Sequence, residues 1–294
     1  MTIAFIGLGN IGFPMAQNLV AAGFPLVLHD LVREKAAPLL AKGARWADSP
    51  AAAAAEADVV ITSLPGPPEV RTVMEGAKGV LETLKRGATW IEMSTTDIDQ
   101  LRRLDAAVSA RGAMTLECPV TGGVKNAYKG KITIFAAGER AVFDACRSVL
   151  SGICENHIFL GPLGAALTAK LITNMLCFVH ELALAEGLMI GKRAGLELRA
   201  LTEAINSSYG GSFVSEVDAP KIFDGSYNTT FSIALACKDM RLTLDLGKTL
   251  GLPLDLARFV GAWMERARKD YGDGADCLAS VQLLEKTTGV SLRP

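Results

Sequence analysis

The chain has 294 residues, of which half are hydrophobic and about a fifth are charged, a composition typical of a folded protein rather than a disordered one. Its 30 basic and 31 acidic residues give a net charge of −1, which argues against a broad nucleic-acid-binding surface. The length predicts one large domain or two medium-sized ones.

The first part of the chain alternates between strand-like and helix-like segments. The predicted strands are "IAFIG", "PLVLHD", "ADVVITSL", "ATWIEMS", "AMTLEC", "KITIFAAG" and "ENHIFL". The predicted helices between them span 11–22, 33–42, 48–56, 68–75, 97–111 and 139–150. Such alternation indicates βαβ units, and the strands are continuous apolar runs, as strands buried on both faces are. We therefore predict an α/β, Rossmann-like domain over residues 1–162, with a doubly wound, largely parallel sheet.

The pattern changes after "GPLG", where no further strand is predicted. Predicted helices span 164–192, 197–207, 230–250, 253–270 and 275–288, and segments that contain Gly or Pro separate them. We therefore predict an all-helical domain over residues 163–294, joined to the first domain by the long central helix.

That long apolar segment carries Lys170, His180, Glu181 and Glu186, which are too many charges for a comfortable membrane span. We expect a buried helix and no membrane partner. The amino terminus lacks the basic stretch of a secretory signal, and the six cysteines form no C-x-x-C pair, so we expect reduced thiols and a cytoplasmic protein. The three histidines are scattered, and we predict no metal site.

A glycine motif, "GLGNIG", follows the first predicted strand and opens the first predicted helix. Gly7 permits the tight turn, Gly9 lets a pyrophosphate approach the backbone, and Gly12 lets the helix lie close to the sheet. The helix amino terminus then offers N–H groups to the phosphates. We predict that this loop binds a dinucleotide through Gly7, Leu8, Gly9, Asn10, Ile11 and Gly12.

The second predicted strand ends in Asp30, which can accept hydrogen bonds from an adenosine ribose and repel a 2′-phosphate. This favours NAD over NADP. Arg33 leaves NADP open, because a nearby arginine can pair with the extra phosphate, although it is equally an exposed charge at a helix start.

Four motifs in this order give the chain a specific resemblance: "FIGLGNIGFPMAQNLVAAG", "ECPVTGG", "GPLGAALTAKLITNM" and "CKDMRLTLD". Together they resemble the β-hydroxyacid dehydrogenase family, and within it the 3-hydroxyisobutyrate dehydrogenase and tartronate semialdehyde reductase branches. The resemblance implies an NAD(P)-dependent enzyme that transfers a hydride between the nicotinamide and a small 3-hydroxy acid or its semialdehyde.

Lys170 and Asn174 are four residues apart, so one face of the long helix presents both. A lysine on such a helix is often only a surface residue. The resemblance instead implies that Lys170 is the general acid/base, which exchanges a proton with the substrate oxygen, and that Asn174 fixes that oxygen or orients the lysine.

Further site residues also come from the resemblance. It implies that Thr121, Gly122 and Gly123 hold the substrate carboxylate, although the same residues suit a simple helix cap. It implies that Lys238 binds substrate and cofactor. It places Leu64, Pro65 and Thr95 in cofactor-binding loops, which agrees with their positions after predicted strands.

The substrate motif departs from the usual D-A-P-V-S-G-G at Glu117, Cys118 and Thr121. Lys125 follows it, and we hypothesise that this lysine attracts a second anionic group on the substrate. The polar loop "NSSYGGSF" is a further candidate for the pocket lining. These departures do not identify the substrate.

Three other interpretations stay open. Related folds reduce imines, against which Lys170 argues, or decarboxylate phosphorylated sugar acids. A non-catalytic dinucleotide sensor is the interpretation from another class. The apolar helical domain predicts a homodimer or homotetramer, because its long helix must bury its sides.

Overall fold

The computed structural model describes all residues from 1 to 294. The chain divides into two compact units, residues 1–170 and residues 171–294. We expected the domain boundary near residue 162, before the long helix. The division between compact units falls inside that helix, which is continuous, so the boundary near residue 162 stays a prediction.

The first unit contains one nine-stranded sheet. Its strands are β1 (Ile3–Ile6), β2 (Leu26–His29), β3 (Arg45–Trp46), β4 (Val59–Thr62), β5 (Thr89–Glu92), β6 (Met114–Glu117), β7 (Val120–Thr121), β8 (Thr133–Gly138) and β9 (Asn156–Phe159). All seven predicted strands are present. The strands β3 and β7 were missed, because two residues are too few to show a period.

The sheet order is β3-β2-β1-β4-β5-β6-β8-β7, and β9 also pairs with β8. Strands β1 to β6 pair in parallel, whereas β8 runs antiparallel to both β6 and β7. The order reverses direction between β1 and β4. Open α/β sheets bind their ligands at such a switch point, beyond the carboxyl ends of the strands.

The helices of this unit are α1 (Gly12–Ala21), α2 (Ala37–Leu40), α3 (Pro50–Ala54), α4 (Pro67–Glu75), α5 (Ile98–Ser109), α6 (Gly123–Tyr128) and α7 (Arg140–Ile153). The predicted helix 33–42 is instead a 3₁₀ turn, Arg33–Ala36, followed by α2. Pro38 explains the break, because it cannot donate a backbone hydrogen bond within a continuous helix. Helix α6 has no counterpart among the predicted helix ranges, although a helix start was expected at Gly122 and Gly123.

Alternate residues of each central strand face opposite sides of the sheet. In β1, Ile3 and Phe5 belong to a core with α1 and α7, whereas Ala4 and Ile6 belong to a core with α3, α4 and α5. Both faces are therefore covered, which confirms the predicted doubly wound α/β fold.

The long helix α8 (Ala165–Arg193) begins in the first unit and continues into the second. The second unit adds α9 (Leu198–Asn206), α10 (Phe213–Val217), α11 (Ala219–Phe223), α12 (Ile233–Thr249), α13 (Asp255–Tyr271) and α14 (Ala279–Thr288). It contains no strand, as predicted. The short helices α10 and α11 were missed, because five residues each do not complete two turns of apolar periodicity.

Helix α8 is long and apolar enough to cross a membrane by length and composition alone. In the second unit its side chains Phe178, Leu182, Ala185 and Leu188 lie in the hydrophobic core. One face of the helix is therefore a core face of a folded helical domain.

The same helix buries a carboxylate, Glu181, within the second unit. The thiols of Cys277 and Cys177 lie 3.5 and 3.6 Å from its Oε1 atom, and its Oε2 atom has no hydrogen-bond partner. Burial, helped by the nearby carboxylate of Asp218, raises the pKa of Glu181 to about 8. The thiols act in the opposite direction but do not offset the burial.

This pKa predicts a pH-dependent stability. A glutamate has an ordinary pKa of 4.5, so the protonated form of Glu181 is favoured by folding. The stabilisation that protonated Glu181 gives the folded state is complete below pH 4.5 and is lost as the pH rises through about 8. Glu181→Gln mimics the protonated acid. The free energy of unfolding of this variant, minus that of the unmutated protein, should therefore increase between roughly pH 5 and pH 9.

Urea unfolding across this pH range measures the difference. The matched control is Glu186→Gln, an exposed acid on the same helix. A stability difference for Glu181→Gln that does not change with pH would contradict the assignment.

Candidate cofactor site and active site

The glycine loop after β1 has the geometry that a dinucleotide requires. Gly7 has a φ of +100°, and a Cβ atom on it would collide with the carbonyl oxygen of Ser63. A Cβ atom on Gly12 would collide with the carbonyl oxygen of Gly7. A Cβ atom on Gly9 would have no heavy atom within 4 Å, so the space beside this residue is open. Gly7 and Gly12 are thus required by packing within the chain, whereas Gly9 leaves room for a ligand.

No side chain caps the amino end of α1. The Phe13 amide already donates to the Gly9 carbonyl at 3.0 Å and Pro14 has no N–H, so the amides left for phosphate oxygens are those of Gly12 and of the residues directly before it. Asn10 is exposed and Ile11 is half-buried at this end, whereas Leu8 is buried. The residues present therefore fit the pyrophosphate of a dinucleotide.

Asp30, which we expected at the ribose, also supports the glycine loop. The Leu8 amide N–H donates to Asp30 Oδ2 at 2.6 Å, and the Val32 amide donates to Oδ1 at 2.9 Å. The Lys35 ammonium lies 3.5 Å from the same Oδ1 atom. Arg33 lies over the indole ring of Trp46, 5.6 Å from its centroid. The ribose contact and the preference for NAD stay predictions.

A buried carboxylate joins the loops after β4 and β5. Glu92 is fully buried at the end of β5 and accepts hydrogen bonds from the Thr62 hydroxyl at 2.7 Å and the Ser94 amide at 2.5 Å. The Leu64 amide donates in turn to the Ser94 hydroxyl at 2.9 Å. These bonds fix the backbone where each loop leaves its strand.

The predicted cofactor residues Leu64, Pro65 and Thr95 lie in these two loops, and Gly7 packs against Ser63 at the start of the first one. The structure therefore brings the glycine loop and both further loops together at the switch point of the sheet. It does not test which of them contacts a cofactor.

A second buried carboxylate, Glu117, lies at the end of β6 and accepts hydrogen bonds from the start of α8. The amides of Gly164 and Leu167 donate to its Oε2 and Oε1 atoms, respectively. Burial raises the pKa of Glu117 to about 7, although these two bonds and, more weakly, the charge of Arg102 favour the ionised form. Lys170 follows within one turn of Leu167 and is half-buried.

Glu117 also leads directly into the predicted substrate loop. Thr121 lies in β7, paired with Thr133 of β8. Gly122 and Gly123 follow with φ angles of +119° and +77°, a conformation that favours glycine. Both glycines are exposed at the beginning of α6. This backbone suits a carboxylate ligand, and the role of these residues in substrate binding stays a prediction.

In the second unit, a buried aspartate that sequence analysis missed joins two predicted site residues. The Asn174 side-chain amide donates to Asp239 Oδ2 at 2.6 Å, and the Lys238 ammonium lies 3.0 Å from Asp239 Oδ1. Asp239 is only 2% exposed. It therefore holds the asparagine and the lysine in one network.

Glu92 and Asp239 were not predicted as site residues. The signal for Glu92 was a lone acid in the apolar strand "TWIE", because a strand buried on both faces must give such an acid hydrogen-bond partners. Asp239 stands in the quoted motif "CKDMRLTLD", but only its neighbour Lys238 was taken as a site residue.

Comparisons with known proteins agree with this architecture. Residues 2–161 match a family model described as the NAD-binding domain of 6-phosphogluconate dehydrogenase. Residues 164–284 match a model described as NAD-binding of NADP-dependent 3-hydroxyisobutyrate dehydrogenase. The two matches together cover most of the chain.

Three relatives cover most of the chain. The 2-(hydroxymethyl)glutarate dehydrogenase of Eubacterium barkeri is 33% identical over 99% of this chain and 97% of its own length. The mitochondrial 3-hydroxyisobutyrate dehydrogenase of Rattus norvegicus is 33% identical over 86% of this chain and 77% of its own. The structure of Mycobacterium tuberculosis 3-hydroxyisobutyrate dehydrogenase with L-serine matches with a TM-score of 0.88 and 30% identity, over 96% of this chain and 98% of that one.

The glycine loop yields a paired prediction. Gly9→Ala should leave the melting temperature unchanged, because the added methyl meets no protein atom, yet weaken NAD⁺ binding by at least about tenfold, because it occupies the space for the pyrophosphate. Gly12→Ala should lower the melting temperature, because its methyl meets the Gly7 carbonyl. Calorimetric titration and thermal unfolding measure both effects. Unchanged NAD⁺ affinity in Gly9→Ala would exclude this loop as the phosphate site.

Proposed function

The chain belongs to the β-hydroxyacid dehydrogenase family of NAD(P)-dependent oxidoreductases, and we propose that it oxidises a small 2-substituted 3-hydroxypropanoate to its semialdehyde, or catalyses the reverse reduction. One observation in the structure supports this proposal most strongly. Lys170 lies on a helix whose first turn is hydrogen-bonded to Glu117, the residue that leads into the Thr121–Gly123 loop. The helix of the proposed proton carrier is thus bonded to a residue only four positions before the candidate carboxylate site.

The relatives suggest the shape of the substrate. The acids named for them, 3-hydroxyisobutyrate and 2-(hydroxymethyl)glutarate, share a hydroxymethyl group on the carbon next to a carboxylate. L-serine, named with the Mycobacterium tuberculosis structure, has the same core. The three differ in the remaining substituent, which is methyl, carboxyethyl or ammonium. We propose the core HOCH₂–CHR–COO⁻ for this chain.

When bound, the nicotinamide supplies the acceptor for the hydride that leaves the alcohol carbon. Lys170 takes the hydroxyl proton as the carbonyl forms, and it returns that proton to the carbonyl oxygen in the reverse direction. Thr121 and the amides of Gly122 and Gly123 hold the carboxylate. Asn174 orients the reacting oxygen.

Further assignments belong to the same proposal. Lys238 contributes positive charge to the bound substrate and cofactor. Asp30 selects NAD by accepting hydrogen bonds from the ribose hydroxyls. A homodimer or homotetramer accords with the exposed apolar side chains of Leu256 and Phe259 on α13. We also propose that the protein is located in the cytoplasm.

Removal of the proposed proton carrier tests the chemistry. Lys170→Ala should lower kcat on 3-hydroxyisobutyrate by about 10²–10⁴-fold, the usual contribution of a general acid/base, with NAD⁺ affinity unchanged. Lys42→Ala, at an exposed lysine of the same unit, is the matched control. Undiminished turnover of Lys170→Ala would remove this residue from the mechanism.

Substitution of Lys125 tests whether the substituent R of the substrate carries a negative charge. This lysine is exposed on α6, directly after the proposed carboxylate loop. If it attracts a second anionic group, Lys125→Ala should lower kcat/KM for 2-(hydroxymethyl)glutarate about fivefold more than for 3-hydroxyisobutyrate, which corresponds to an exposed ion pair. Lys129→Ala, at another exposed lysine, is the control. Equal losses on both acids would contradict the role.

A further inference from the structure

Three polar side chains form a row across the carboxyl edge of the sheet. Thr62 of β4 is the register partner of Glu92 of β5, and Glu92 is the register partner of Glu117 of β6. All three residues are fully buried. Polar groups are buried without loss only when they are hydrogen-bonded, so each member needs an identified partner.

The first two members bond to each other and to the loop after β5. Glu117 instead reaches the first turn of α8. Each of its carboxylate oxygens accepts one backbone N–H, from Gly164 and from Leu167. These two donors belong to the helix start, where no intrahelical carbonyl precedes them.

Close packing restricts the same turn from two further sides. Gly164 has a φ of +99°, and a Cβ atom on it would lie 3.2 Å from Ile98 and 3.3 Å from Arg102 of α5. Ala166 is buried against Phe135 and Ala137 of β8. The first turn of α8 therefore has little room to rotate or slide, and Glu117 fixes it through two hydrogen bonds.

We propose that Glu117 is a positioning residue for Lys170: by holding both N–H donors of the first helical turn, it sets where the lysine amine lies relative to the Thr121–Gly123 segment that follows Glu117 in the chain. This inference rests on the proposed function of Lys170. It assigns to Glu117 no contact with substrate or cofactor.

The requirement for a carboxylate follows from the number of acceptors. Two N–H groups point at two oxygens, and each oxygen accepts one of them. A glutamine offers one acceptor oxygen and presents an NH₂ group to the second donor. An aspartate keeps both acceptors but is shorter by one methylene. Glu117→Gln should therefore displace the turn, and Glu117→Asp should restore part of the loss.

The test is a double-mutant cycle on kcat. In the unmutated background, Glu117→Gln should lower kcat about 10- to 100-fold, as a small misplacement of a catalytic group does, with KM for NAD⁺ unchanged. In the Lys170→Ala background, the same substitution should have no further effect on the residual turnover, because the group that it positions is already absent. Glu117→Asp should recover at least part of the lost kcat.

Glu92→Gln is the matched comparison, since it changes the neighbouring acid of the same buried row. It should raise KM for NAD⁺, because it loosens the loops that carry Leu64 and Thr95. Its effect should be the same in both backgrounds.

An equal fold-loss from Glu117→Gln with and without Lys170 would overturn the inference, because a general structural defect acts in either background. Unchanged kcat in the Glu117→Gln single variant would also overturn it. The proposed function fails separately, if the unmutated enzyme oxidises none of the 3-hydroxy acids or if Lys170→Ala alone has full turnover.

Discussion

Buried or half-buried carboxylates at the carboxyl edge of the sheet hold the backbone on which this site depends. Asp30 follows β2 and accepts a hydrogen bond from the Leu8 amide. Glu92, at the end of β5, accepts one from the Ser94 amide. Glu117, at the end of β6, accepts two from the first turn of α8. Asp30 and Glu117 each fix a loop or helix from another part of the chain, whereas Glu92 fixes the loop that follows its own strand and also bonds to Thr62 of β4. Charge-assisted bonds of this kind are shorter and stronger than bonds between neutral groups.

Burial of these carboxylates disfavours their ionised forms, which costs free energy. Burial raises the pKa of Glu117 to about 7 even though two amides favour its ionised form. The acid is retained at a position where an apolar residue would leave two helix N–H groups without acceptors. If Lys170 is the proton carrier that we propose, a fixed helix start matters for the rate, because misplacement of a reacting group by about 1 Å can reduce a rate about a hundredfold.

The sequence was sufficient to predict the fold and the family. Alternating apolar segments predicted the sheet, and the reasons given for Gly7 and Gly12 agree with the close backbone contacts at these residues, whereas the role of Gly9 beside a pyrophosphate stays a prediction. It was insufficient wherever a partner lies far along the chain. Glu117 was noted only as a departure from a motif, since its bond to Gly164 spans 47 residues. Asp239 stood in a quoted motif but was not taken as a site residue, because its partner Asn174 is 65 residues away.

The most direct test of the account is the position of the Lys170 amine in a crystal structure of the enzyme with NAD⁺ and a 3-hydroxy acid. The account predicts that the amine lies within about 3 Å of the substrate hydroxyl oxygen, while Glu117 still receives the first turn of α8. A Lys170 side chain directed into solvent, with another residue at the hydroxyl oxygen, would contradict it.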